Sequence, residues 1–121
     1  MAETIRPLQA GDLADFAARC FPELPLEEVE ERLRDDLAAE SGGEGITLVT
    51  EEGGRVGVTA KLLCSGDTGW VFNVSAHPDC RGRGMVQRLL LDLAARAAAR
   101  GLERLAAHVR EDNVRARRAY E

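Results

Sequence analysis

The sequence lacks the features that mark a secreted, membrane-spanning or metal-binding chain. No hydrophobic run approaches the roughly 18 residues of a transmembrane helix, and the N-terminal stretch MAETIRPLQAGD has no apolar signal region. The three cysteines are an odd number without metal-ligand spacing. These absences predict a reduced, cytoplasmic protein with no membrane partner and no bound metal.

Aromatic residues are also scarce, at 4% of the chain. Trp70 and Tyr120 are too isolated in the sequence to form a stacking platform for bases. The sequence contains neither the GxxxxGK(S/T) pattern of nucleoside triphosphatases nor the GxGxxG pattern of dinucleotide-binding folds. These absences exclude two nucleotide-binding classes and predict no nucleic-acid partner.

The composition that remains is that of one globular domain over residues 1–121. Hydrophobic residues make up 45% and charged residues 31% of the chain, and a domain of this length buries roughly two thirds of its unfolded surface. Residues 1–60 hold 14 acidic and 5 basic groups, giving −9, whereas residues 61–121 hold 11 basic and 7 acidic groups, giving +4. The basic half is almost all arginine, whose planar fork suits phosphate oxygens. The charge distribution therefore favours an anionic ligand on the C-terminal half.

Hydrophobic periodicity predicts alternating strands and helices. Asp12 is the predicted N-cap of the first helix, and Pro25 opens the second. The predicted order is a strand at 4–7, two helices, strands at 46–51, 56–63 and 70–75, a long helix up to the C-cap Gly101, a strand at 105–109 and a last helix. The crossover from strand 70–75 to strand 105–109 favours parallel pairing. The pattern predicts an α+β fold with a mixed, mostly antiparallel sheet and flanking helices.

The loop before the long helix carries the chemistry. A strand ends there, a helix begins, and its first N–H groups lie at the positive end of the helix dipole. Gly82 and Gly84 let a ligand approach the backbone, and Arg81 and Arg83 are available to neutralise charge. This pattern predicts an anion-binding cradle. The alternative is ordinary turn chemistry with surface arginines.

Two stretches resemble the GNAT superfamily of N-acetyltransferases. Residues 74–90 resemble its acyl-CoA-binding motif, Gln/Arg-x-x-Gly-x-Gly/Ala, with Arg81 in the first position and Gly84 in the fourth. Residues 105–121 resemble the family's strand and helix with Asn113, Ala116 and Tyr120 at set spacing. The predicted order of elements also matches the acyl-CoA N-acyltransferase-like fold of that family.

The resemblance implies direct transfer of an acetyl group from acetyl-CoA, the co-substrate, to an amine of a small molecule or a protein. Strands 70–75 and 105–109 would splay apart to admit the pantetheine arm. The backbone at Val74 and Ala76 would pair with that arm, and Asn113 would hydrogen-bond it. The pyrophosphate would be held by N–H groups of Arg81, Gly82, Arg83, Gly84, Met85 and Val86.

The resemblance also implies two catalytic residues. Tyr120 would protonate the departing thiolate, and His108 is the candidate base, at a position where ribosomal-protein N-acetyltransferases often carry a glutamate. The alternative for His108 is a structural histidine on a strand face. Asn73 stands where other members place a carboxylate, and an amide cannot act as a base. Cys64 and Cys80 are not expected to be nucleophiles.

The sequence departs from the family pattern at two points. Val86 replaces the usual Gly or Ala, and its branched side chain would crowd the pyrophosphate. The family continues beyond the position of Glu121 into two more strands, so the sequence predicts a sheet that lacks them. Residues 105–109 would then be an exposed edge, suited to a homodimer. The alternatives are a non-catalytic acyl-CoA-binding module and a partner subunit with an incomplete fold.

Overall fold

A computed structural model describes residues 3–107 and contains one five-stranded sheet in the order β1-β2-β3-β4-β5. Neighbouring strands from β1 to β4 are antiparallel, and β5 is parallel to β4. The strands are β1 Thr4–Pro7, β2 Gly45–Glu52, β3 Arg55–Ser65, β4 Thr68–Ala76 and β5 Arg104–Ala107; the helices are α1 Leu13–Asp15, α2 Leu26–Ser41 and α3 Met85–Ala99. The predicted α+β fold with a mixed, mostly antiparallel sheet and flanking helices is confirmed.

The sheet lies between two hydrophobic clusters, one on each face. On one face, α3 buries a stripe of residues four apart, because every fourth residue of a helix lies on nearly the same side. That stripe consists of Met85, Leu89, Leu93 and Ala97, and it packs on Leu48, Ala60, Leu62 and Val71. On the other face, α2 and the α1 region bury Val29, Leu33, Phe16 and Phe21 against Val49 and Val56. The α3 stripe is the one that its sequence periodicity predicted.

The first predicted helix is broken into three short pieces. A 3-10 turn, Ala10–Asp12, precedes α1, and a π-helical turn, Phe16–Cys20, follows it. The Asp12 carboxylate does not cap α1, because it accepts the Gln9 N–H at 2.8 Å and two guanidinium bonds from Arg6, each at 2.8 Å. Asp12 therefore holds the predicted N-cap position of α1 without a capping hydrogen bond from its side chain, and its carboxylate joins β1 to the first turn instead.

The chain's lone lysine is used inside the fold. The Nζ atom of Lys61, on β3, lies 2.5 Å from Oδ1 of Asp36 on α2. Only 13% of the Lys61 side chain and 2% of the Asp36 side chain are exposed. The pair therefore fastens α2 to the middle of the sheet, and its two charges offset each other.

The C-terminal part of the prediction lies outside the described residues. The strand predicted at 105–109 is observed as β5 up to Ala107, and its parallel pairing with β4 is as predicted. The predicted last helix and the three site residues His108, Asn113 and Tyr120 all fall beyond residue 107.

Candidate active site

The loop between β4 and α3 is fastened to the sheet by backbone hydrogen bonds. The His77 N–H donates to the Gly57 carbonyl oxygen at 2.7 Å, and the Cys80 N–H donates to the His77 oxygen at 2.8 Å. The His77 side chain also forms a hydrogen bond within the loop, in which its Nδ1 accepts the Asp79 N–H at 3.1 Å. These contacts fix the direction in which the chain leaves β4.

Gly57 gives this loop the room to approach the sheet. It lies in a β-bulge of β3, where Val49 pairs with Thr59 but Glu51 pairs with Val56. A Cβ atom at Gly57 would lie 2.3 Å from the Sγ atom of Cys80, far inside van der Waals contact. A side chain at this position would therefore push the loop outward. Sequence reasoning missed Gly57, whose one signal was a glycine within a run of strand-forming residues.

A row of free amides begins after the loop. Gly82 and Gly84 have positive φ angles of 77° and 74°, and Gly84 is the N-cap of α3. The Arg88 N–H donates to the Gly84 oxygen at 3.1 Å, which begins the helical bonding. Among residues 3–107, no hydrogen bond uses the N–H groups of residues 82–87. Those donors lie at the positive end of the helix dipole and can bind an anion.

The structure changes what can be expected of three predicted pyrophosphate ligands, Arg81, Met85 and Val86. The Arg81 N–H donates to the Pro78 oxygen at 3.2 Å, so the row of free amides begins one residue later than predicted. Met85 can offer a ligand only its backbone, because its side chain is 1% exposed and belongs to the core beneath α3. Val86 packs partly against the same core, which turns part of its branched side chain inward.

Three arginines, Arg81, Arg83 and Arg88, lie on or directly beside the row of amides in the chain. Arg83 donates from Nη2 to both carboxylate oxygens of Glu52, at 3.0 and 2.8 Å, and these hydrogen bonds lower the pKa of Glu52. Arg88 forms an ion pair with Glu3 and places Nη1 3.1 Å from where a Gly84 Cβ would lie. Within the described chain, Arg81 is exposed and has no hydrogen-bond partner for its guanidinium. Of the two predicted loop arginines, Arg81 is available and Arg83 is held.

β4 carries a bulge immediately before the predicted pantetheine-binding backbone. Thr59 pairs with Ser75 but Lys61 pairs with Phe72, so β4 has one extra residue between these pairs. Asn73 has a φ of 55°, a conformation that asparagine tolerates better than most residues. Sequence reasoning considered Asn73 only as an absent base and missed this backbone role.

The bulge changes which residues of β4 face α3. Val74 and Ala76 are half-buried and pack against the α3-side core. Ser75 points to the other face, where its Oγ donates to the Cys20 carbonyl oxygen. The described pairing of β5 with β4 ends at Val71 and Ala107, so the predicted splaying of the two strands falls outside the described residues.

Three further observations concern the Cys20 thiol, metal binding and membrane-spanning helices. Burial raises the pKa of the Cys20 thiol to about 12, so this cysteine is not a thiolate near neutral pH. Within residues 3–107, no group of three or more His, Cys, Asp or Glu side chains could hold a metal ion. No helix in the same range is long and apolar enough to span a membrane.

The mixed sheet and the β4 bulge define an α+β protein with a row of backbone N–H donors after its fourth strand. The family model described as the acetyltransferase (GNAT) family matches residues 11–121. The chain belongs to this family, as its two motifs predicted. Membership makes acetyl-CoA the expected acetyl donor.

Solved structures with this fold include several acetyltransferases. A ribosomal-protein-alanine N-acetyltransferase from Brucella melitensis is 20% identical, with a TM-score of 0.79 over 98% of this chain and 88% of that one. The PaiA N-acetyltransferase from Thermoplasma acidophilum, in complex with coenzyme A, is 14% identical, with a TM-score of 0.75 over 99% and 87%. An aminoglycoside N-acetyltransferase in complex with CoA is 14% identical, with a TM-score of 0.82 over 98% and 84%. At these identities the likeness concerns the fold.

Proposed function

We propose that this protein transfers an acetyl group from acetyl-CoA directly to an amine of a small molecule or a protein. The observation that carries the proposal is the row of N–H groups from residue 82 to residue 87, at the start of a long helix, which no hydrogen bond uses within residues 3–107. Gly82 and Gly84 leave no Cβ between those donors and a ligand. Two of the fold relatives are described as complexes with coenzyme A, which supports a ligand of that kind here.

The chain's own residues fit such a ligand along β4 and α3. The N–H groups of residues 82–87 would hold the pyrophosphate, with Arg81 adding a positive charge. The backbone of Val74 and Ala76, just after the bulge, would pair with the pantetheine arm as an added strand would. Asn113 would hydrogen-bond the same arm.

The proposed chemistry needs one base and one acid. When bound, acetyl-CoA supplies an acetyl group activated as a thioester. His108 would take a proton from the acceptor nitrogen, which forms the new C–N bond, and an imidazole has a suitable pKa for this task near neutral pH. Tyr120 would give its phenolic proton to the sulfur as the C–S bond breaks.

The charge of the sequence and the exposed edge of the sheet support further proposals on the acceptor, the partners and the oligomeric state. The acidic residues 1–60 favour a cationic acceptor and disfavour a nucleic-acid partner. We place the protein in the cytoplasm, away from membranes. We also propose a homodimer through β5, where three of the four residues are exposed and where, within residues 3–107, β4 is the one paired strand.

The test of the proposed function is a ligand-dependent shift in melting temperature. Acetyl-CoA at 100 times its dissociation constant should add about 2.7 kcal/mol to the free energy of unfolding, which is several degrees for a domain of this size. Adenosine diphosphate is the control for simple phosphate binding. No shift at millimolar acetyl-CoA would overturn the proposal.

A turnover assay then separates the enzyme from a binding module. Thiol release from acetyl-CoA is followed with a panel of amines at several pH values. Release that depends on the amine supports transfer. A clear shift in melting temperature, without release for any amine, would assign the cradle to a non-catalytic acyl-CoA-binding module.

A further inference from the structure

A groove opens on the α2 side of the sheet, away from the free amides. Its volume is about 510 Å³, and we call it the β3–β4 groove. Its lining residues come from both strands and from the connection before β2: Glu44, Leu63, Cys64, Ser65, Trp70 and Phe72. Trp70 is the chain's one tryptophan, and 40% of its surface is exposed.

Backbone pairing holds this groove in shape. Leu63 pairs with Trp70, and Lys61 pairs with Phe72, so the side chains of Leu63, Trp70 and Phe72 stand side by side on one face of the sheet. Glu44 is fixed next to them because the Cys64 N–H donates to its carbonyl oxygen at 2.8 Å. The aromatic floor and the backbone of Glu44 therefore have set positions relative to each other, and the exposed Glu44 side chain extends from that backbone at the groove.

Charge selects the kind of ligand. Among residues 3–107, the Glu44 carboxylate makes no salt bridge or side-chain hydrogen bond. Lys61, the chain's one lysine, is paired with Asp36. Arg100 contacts the Cys64 Sγ at 3.4 Å without a salt bridge to Glu44. An apolar groove with an unpaired carboxylate at one end suits a cation with an apolar body.

The groove lies along the same strand as the proposed acetyl-CoA site. Phe72 precedes Val74 by two residues, or roughly 7 Å of strand. Glu44 lies at the level of Cys64, which pairs with Gly69, and is thus roughly 10 Å farther from the cradle than Phe72. A ligand lying in the groove would have one end near the proposed transfer site and the other at Glu44.

We propose that the β3–β4 groove binds the acceptor, and that the acceptor is an aliphatic diamine. One amino group, at the Phe72 end, receives the acetyl group, while the second, as an ammonium, pairs with Glu44. The apolar chain between them lies over Leu63 and Trp70. This assignment rests on the proposed function and adds the substrate class to it.

The test uses the fluorescence of Trp70, which reports on the groove without any acetyl transfer. Octamethylenediamine, whose extended length is close to the roughly 10 Å of strand between Phe72 and the level of Glu44, is titrated into the protein alone, beside octylamine and ethylenediamine. We expect a saturable change with octamethylenediamine and weaker binding of the other two. Glu44→Gln should weaken the diamine up to about fivefold, the range of an exposed charge pair, and leave octylamine unchanged. Glu31→Gln, an exposed carboxylate on α2, is the matched control.

The outcomes separate this proposal from the proposed function. No change in Trp70 fluorescence, while acetyl-CoA still raises the melting temperature, would overturn the groove assignment alone. A fluorescence change that follows protein dilution instead of added amine would assign the groove to a second copy of the chain and also overturn it. In turnover, Glu44→Gln should raise KM for the diamine and leave kcat unchanged; an equal effect with octylamine would count against a second ammonium.

Discussion

At the scale of single residues, the proposed acetyl-CoA site depends more on backbone conformation than on the identity of its side chains. Gly84 adopts a φ of 74° at the start of α3, and Asn73 a φ of 55° in the β4 bulge. Both positions belong to the left-handed region that most residues avoid. Gly84 lies within the row of amides proposed to hold the pyrophosphate, and Asn73 lies in the bulge just before the backbone proposed to pair with the pantetheine arm.

Gly84→Ala tests the cradle against a control with the same backbone strain. Gly54, in the β2–β3 turn, has a φ of 78°, so alanine at either position should cost about 1 kcal/mol of stability. Only the Gly84 variant should also lose affinity for acetyl-CoA, by about tenfold or more, because its Cβ stands among the free amides. Isothermal titration calorimetry on both variants measures the difference. Equal affinities would remove Gly84 from the binding site.

At the scale of elements, the site depends on how closely the β4–α3 loop packs on β3. Gly57 and Cys80 are the contact residues: a Gly57 Cβ would meet the Cys80 Sγ at 2.3 Å but the Cys80 Cβ at 3.7 Å, an ordinary contact. The thiol therefore fills the space that Gly57 leaves open, and the loop and the strand are matched in volume.

The volume match predicts a rescue. Gly57→Ala should destabilise the fold by about 1–3 kcal/mol through overpacking. In Gly57→Ala/Cys80→Ala the new methyl group occupies the space of the lost sulfur, so the double variant should be more stable than the sum of the single changes by about 1 kcal/mol or more. Urea unfolding of the four proteins measures this coupling. Additive effects would show that the two residues do not share one space.

The Arg6–Asp12 ion pair between β1 and the first turn predicts that the stability of the fold depends on pH. Burial alone would raise the pKa of Asp12, but hydrogen bonds from Arg6 and the Gln9 N–H outweigh it, and the pKa is lowered. A lowered pKa stabilises the fold above the unfolded value near 3.9, and that contribution is lost as the pH falls through the folded value.

Asp12→Asn should therefore be less stable than the parent at pH 7, and the difference should shrink as the pH falls below about 4. Thermal unfolding between pH 7 and pH 2 measures it. Asp35→Asn, at an exposed position on α2, should follow the parent curve. A constant deficit at all pH values would mean that Asp12 acts through packing and not through its charge.

The sequence predicted the elements better than the contacts between them. The α3 stripe, the three antiparallel strands and the parallel β4–β5 pair follow from periodicity and from the handedness of crossovers, and these are local or general rules. The bulges at Gly57 and Asn73 depend on the register between strands, which periodicity does not specify. The Arg83–Glu52 pair joins residues 31 positions apart, a separation at which sequence alone gives no signal.

At the scale of the whole molecule, the charge asymmetry of the sequence bears on ligand binding, and the exposed edge of the sheet bears on the proposed dimer. The acidic half supplies α2 and the strand β2, whereas the cradle lies in the basic half. In the proposed reaction the anionic ligand would bind in the basic half of the sequence, and the cationic ligand would pair with Glu44 of the acidic half.

The proposed dimer is tested by changing one exposed leucine at a time. Leu105, on β5, is 46% exposed, and Leu91, on α3, is 70% exposed. We expect the parent protein to have the mass of a dimer in light scattering coupled to size-exclusion chromatography. Leu105→Asp should give a monomer and Leu91→Asp should not. A monomeric parent protein would exclude the β5 interface.

The unused amides at the start of α3 also determine how this region exchanges hydrogen with solvent. A backbone proton without an acceptor is not protected, so the N–H groups of residues 82–87 should exchange rapidly even while the sheet beside them stays protected. A bound phosphate would slow exchange in that one block of the chain. The cradle can thus be followed by hydrogen–deuterium exchange and mass spectrometry, on the peptide that contains these residues and without a covalent probe.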